Sequence, residues 1–137
     1  MWKLFIFIIS LETLIDILSK QTSNCIINSQ KPILELLVLH HVSSGFLLYG
    51  WLFNDYILLW FHILTVLFTA SHWLLNDNKC ALTVYINKEC DWPENKPFHD
   101  ILDMIGLKSI KSWNELWHYI FIICGMFISM FKLYNLK

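Results

Sequence analysis

Arginine is missing from this chain, and glycine and proline are scarce, with four and three copies in 137 residues. All ten basic residues are therefore lysine, which together with abundant Ile and Asn suggests an AT-rich coding genome. The formal net charge is -1 and no long single-sign run occurs, so the chain lacks the electrostatic footprint of a nucleic-acid binder. So few glycines supply no phosphate-cradling loop, and no Ser-His-Asp arrangement or nucleophile motif is present. Four cysteines are too few for a disulfide-dense scaffold. Charged residues make up only 15% of the chain against 56% hydrophobic, which is too apolar for an ordinary soluble domain of this length.

What is present is long apolar blocks. Tyr56 to Leu75 contains no Asp, Glu, Lys or Arg, and as a helix of about 1.5 Å rise per residue it covers roughly the 30 Å hydrocarbon thickness of a bilayer. Similar blocks set spans near residues 2–18, 33–53, 56–76 and 112–132. The fold class expected is an all-α integral membrane bundle of three to four transmembrane helices with one amphipathic surface helix, in a single membrane domain. The first block resembles the h-region of a signal peptide, but without an A-x-A-like cleavage site it reads as a retained helix. Its Glu12 and Asp16 lie one turn apart. Either the helix ends near the interface there, which is the preferred reading, or the pair faces the bundle.

Residues Gln21 to Lys31 read as a polar connecting loop closed by Pro32. Asn54 and Asp55 make a short turn, so the second and third spans are antiparallel neighbours. Residues 77–111 form the longest polar section. Within it Cys80, Leu82, Val84 and Ile86 alternate with Ala81, Thr83 and Tyr85 as in a short strand, and Pro97 to Gly106 has the spacing of an amphipathic helix too short to span. The positive-inside rule makes the side carrying the long connections cytoplasmic, whereas its three loop cysteines favour an oxidising compartment, so orientation stays open.

The polar groups in the spans supply the candidate site. His62, Thr65, Thr69, His72 and Asn76 follow steps of three and four along one helical stripe. Counted back from the Asn54–Asp55 turn, His40 and His41 lie about fourteen residues away and His72 about seventeen, a depth difference of roughly 5 Å. With Glu35 and His118 they converge on the loop side, where imidazole and carboxylate ligands suit zinc, iron or a haem held by two facing histidines. No HExxH, Glu-x-x-His or CxxC signature accompanies them, and ordinary interhelical hydrogen bonding is the favoured reading. By depth, His72 and Asn76 belong with the loop-side group, while His62, Thr65 and Thr69 read as helix-packing contacts. Cys80 and Cys90 flank one loop and are the leading disulfide pair; Cys25 is then left as a spare thiol.

Leu39-His40 near the start of a span, His62 in the next and Cys80-Ala81-Leu82-Thr83 after it resemble a bacterial family of small uncharacterised multi-pass membrane proteins with a Leu-His start and a Cys-x-Leu-Thr loop. Trp73, Asn76, Asn78 and the same Cys-x-Leu-Thr run are similar to hypothetical membrane proteins of large DNA viruses with AT-rich genomes. The likeness runs over roughly residues 34 to 86, with Ala81 where the bacterial family commonly has Pro and no Glu at Val84 or Tyr85. It implies a multi-pass fold in a host or viral membrane and carries no established activity. The expectation is a non-enzymatic membrane component, with the lipid bilayer as partner and homo- or hetero-oligomers formed through its helices. The alternative is a metal- or haem-binding redox protein or hydrolase built on the loop-side histidines.

Overall fold

Six α-helices, one 3-10 turn and no strand make up the described part of the computed structural model, which covers residues 1–29, 32–77, 79–94 and 111–136, with side chains from Tyr119 onward in the last segment. Four helices are long: α1 (Trp2–Leu18), α3 (Ile33–Tyr49), α4 (Tyr56–Leu75) and α6 (Lys111–Asn135). Two are short: α2 (Lys20–Asn28) and α5 (Ala81–Glu89). Helix α3 is the centre of the bundle and touches each of the other five. Among the described residues two segments are, by length and composition, apolar enough to cross a membrane, Ile33–Leu52 and Tyr56–Leu75.

The two short helices correct the reading from sequence. Residues 21–31, expected as loop, hold α2, because the Ser19 side chain caps it by accepting from the Thr22 N–H at 3.3 Å. Cys25 and Ile26 then pack against the Ile33, Leu37 and Ile86 cluster. The alternation at 80–86, expected as a strand, is the start of α5. Leu82, Ile86 and Cys90 are four residues apart, a spacing that satisfies both a two-residue and a helical period, and all three meet the same apolar cluster. Burial of that face decides for the helix. The amphipathic surface helix expected over Pro97 to Gly106 lies outside the described residues.

The end of the bundle opposite α2 and α5 is closed by aromatic packing and one lysine. Trp2 and Phe5 meet Phe53 with ring centroids 4.5 and 5.6 Å apart. From α6, Lys132 Nζ donates to the carbonyls of Trp51 at 2.9 Å and Phe53 at 3.2 Å and to Asn54 Oδ1 at 2.8 Å. These carbonyls lie beyond the last helical turn of α3, where a cation satisfies acceptors that the helix cannot.

Helices α4 and α6 are joined by His62, near the end closed by Lys132. This buried ring pairs through Nδ1 with Ser129 Oγ at 2.9 Å and donates from Nε2 to the Leu47 carbonyl at 3.1 Å, tying three helices together. The packing role expected for His62 is what these contacts describe. Gly50, in the 3-10 turn Gly50–Leu52, lies against that ring, and a Cβ there would run into Cδ2 and Cγ. Since both ring nitrogens are engaged, the ring cannot step aside without losing a bond. Gly50→Ala is expected to destabilise the bundle by about 1–3 kcal/mol, measured as a lower unfolding midpoint in detergent. A midpoint unchanged from wild type would show that the ring is not held.

Candidate functional site

Adjacent residues on a helix point about 100° apart, and this separates His40 from His41. His41 faces α1, where its Nε2 donates to Asp16 Oδ2 at 2.8 Å and its Nδ1 lies 3.9 Å from Glu12 Oε2. All three side chains are buried, at 2%, 2% and 4% exposure for His41, Asp16 and Glu12. Of the two readings of Glu12 and Asp16, the structure shows the pair facing the bundle and not exposed at a helix end: α1 does end two residues on, at Leu18, but both side chains are buried because an imidazole on α3 is there to meet them. A buried carboxylate is costly unless paired, so Asp16 and His41 constrain how α1 sits on α3.

His40 turns the other way, toward α5, with its Nδ1 3.5 Å from Thr83 Oγ1. It lines a cavity of about 400 Å³ between α3, α4 and α5. Helix α3 contributes His40, Ser43, Ser44 and Leu47 to its wall, and α4 contributes Thr65, Phe68, Thr69, His72 and Trp73. Cys80, Ala81 and Leu82 close it at the start of α5. The wall is chiefly apolar, and no Asp, Glu or Lys is among its described residues. Two of its hydroxyls are already committed as donors, Ser44 to the His40 carbonyl and Thr65 to that of Phe61, each at 2.8 Å. His72 Nε2 accepts the Ala81 N–H at 3.2 Å, so in the neutral ring the proton sits on Nδ1. Trp73 is braced edge-on by Tyr119, with centroids 5.7 Å apart.

The five residues expected as a metal set are thus dispersed as far as they are described. His41 is turned to α1, His40 and His72 line the cavity, and Glu35 is exposed on the first turn of α3. The side chain of His118 lies outside the described residues. Among the described residues no three His, Cys, Asp or Glu side chains are placed to hold a metal ion. The two nitrogens of His41 diverge toward different carboxylates, which leaves no common point for one. Asn76, grouped with His72 by depth, instead donates to the Lys79 carbonyl at 2.8 Å and shapes the turn after α4. Thr65 and Thr69, expected as packing contacts alone, share the cavity wall with His72.

The disulfide is also corrected: Cys25 pairs with Cys90, and Cys80 is a free thiol. Cys80 and Cys90 sit at opposite ends of α5, separated by nine helical residues, or about 13 Å of rise, and a disulfide needs Cα atoms within about 7 Å. Cys25, on α2, stands 5.5 Å from Cys90 between Cα atoms. Ser129 and Lys132 are the contact residues that sequence reasoning missed, while Asp16 is placed by its second reading and Cys25 is named without its partner. For Asp16 the signal was present, as an acid pair one turn apart inside an apolar helix. Compared with protein-family models, curated proteins and solved structures, the chain gives no match.

Proposed function

We propose that the chain is a multi-pass integral membrane protein in which α1, α3, α4 and α6 cross the bilayer, and that it acts as a non-enzymatic membrane component. The observation that carries this reading is the outer face of α4. Ile57, Phe61, Leu64, Phe68 and Leu75 recur at helical spacing and are between 58% and 89% exposed. Only 22% of the apolar window of this helix is buried within the bundle, unlike the core helix of a soluble protein. The same inversion holds on α1, with Leu4, Ile6 and Phe7 exposed, and on α6, with Phe127 and Phe131 exposed. Meanwhile Glu12, Asp16, His41, His62 and Ser129 are inside. In water such a surface far exceeds the apolar patch a soluble monomer tolerates; in lipid it is the expected exterior.

The Cys25–Cys90 pairing supports placing the α2–α5 cap in an oxidising compartment, against the lysine bias. The α1 and α6 faces are the surfaces open to further helices, of this chain or of a partner. Extraction of native membranes with alkaline carbonate tests the membrane reading. The protein is expected to stay with the pellet and to enter solution only with detergent. Release into the carbonate supernatant would overturn the proposal.

A further inference from the structure

We propose that the cavity between α3, α4 and α5 binds the head group of a lipid-soluble quinone. At about 400 Å³ it lies toward the small end of ligand pockets, which run from about 300 to 1,000 Å³, and suits one ring with the start of a tail. The wall selects for three properties. Among its described wall residues there is no Asp, Glu or Lys, which favours an uncharged ligand. Phe68 and Trp73 offer aromatic surface to a flat ring. Thr69 and His72 stand one turn apart on the same face of α4, and His72 presents its Nδ1–H as a donor because Nε2 is taken by the Ala81 N–H.

An acceptor on the ligand is what these donors require, and a quinone carbonyl is one. Other lipid-phase molecules meet fewer of these conditions. A saturated acyl chain leaves the donors unmatched, a fatty acid brings a carboxylate to a wall whose described residues include no lysine, and a sterol has no flat aromatic or quinoid face. The route in is the lipid phase, past Phe68, which is 75% exposed on the outward face of α4. The choice among lipid-phase ligands and this route rest on the membrane reading; the donors and aromatic lining of the pocket do not.

Cys80 makes the test direct, since its thiol lies in the cavity wall. The full chain carrying Cys124→Ser, which removes the other free thiol, is purified in detergent, and alkylation of Cys80 by N-ethylmaleimide is timed by mass spectrometry. The probe is decylubiquinone, whose ring has no free position for thiol addition. At saturation it is expected to slow alkylation by about tenfold. His72→Phe and Thr69→Val each remove one donor and are expected to raise the half-protecting concentration about five- to tenfold. Decylbenzene, which has the tail and ring without the carbonyls, is expected not to protect.

Absence of protection by decylubiquinone overturns the proposal. So does equal protection by decylbenzene, or half-protection unchanged in both variants. A variant that loses its helical circular dichroism or the Cys25–Cys90 bridge is set aside, and the other gives the result. Because binding is read in detergent, its failure leaves the bilayer assignment standing, and release by carbonate leaves the binding result standing.

Discussion

His41→Leu is expected to lower the unfolding free energy by about 3–5 kcal/mol, the cost of removing an imidazole that pairs with a buried carboxylate. The Asp16 and Glu12 carboxylates are 2% and 4% exposed, so water cannot replace the imidazole without opening the α1–α3 interface. The bond at 2.8 Å from His41 Nε2 to Asp16 carries most of this effect, and the longer approach at 3.9 Å to Glu12 adds electrostatic support. A second variant separates the loss of pairing from the loss of packing. With Glu12→Leu, Asp16→Leu and His41→Leu together the charges are gone and apolar volume fills the interface. This triple variant is expected to recover most of the loss, because replacing buried paired charges by packed hydrocarbon is often neutral or stabilising. The measurement is reversible unfolding in mixed detergent micelles. A single-variant cost below about 1 kcal/mol, the scale of an exposed pair, would show that the group is not buried as described.

Removing the disulfide has an effect of similar size through a different mechanism. Cys25 and Cys90 are 65 residues apart in sequence, and closing so long a loop reduces the freedom of the unfolded chain by about 4 kcal/mol in the chain-entropy description. Cys25→Ser and Cys90→Ser are each expected to cost about that much, and the double variant no more than either alone. Cys80→Ser is expected to leave the midpoint unchanged, since that thiol is free. Peptide mapping without reductant checks the pairing independently: one cross-linked species containing Cys25 and Cys90 is expected. A species linking Cys80 to Cys90, or a midpoint insensitive to reductant, would contradict it. The bridge joins α2 to α5 over Ile33, Leu37 and Ile86, so its loss frees both ends of the cap.

The parts of the fold legible in sequence were those whose signal is long. Tyr56 to Leu75 is read directly as α4 because twenty residues without Asp, Glu, Lys or Arg leave no alternative period. The nine-residue helices α2 and α5 were not legible, since neither is long enough to be stable alone. They form on a surface built by residues far away, and the Ser19 cap was the only local sign of α2. The candidate site divides in the same manner. That His72 belongs to a loop-side pocket follows from counting depth along a helix. That His41 leaves the same group does not, because its partner Asp16 is 25 residues away on another helix and depth carries no information about rotation. Lys132 was read as the residue that ends a span. Its four acceptors among the described residues, 78 or more positions earlier, show instead that it closes the bundle.

Four crossings place the N-terminus and the α2–α5 cap on opposite faces of the membrane, whereas a two-span hairpin of α3 and α4 with α1 detached from α3 leaves Lys3 on the same side as the cap. A membrane-impermeant maleimide applied to sealed vesicles distinguishes the two. Lys3→Cys and Lys79→Cys are introduced separately into a chain carrying Cys80→Ser and Cys124→Ser, with the Cys25–Cys90 bridge intact. The four-span account predicts that one of the two labels before permeabilisation and the other only after it. Labelling of both from the same side would contradict it.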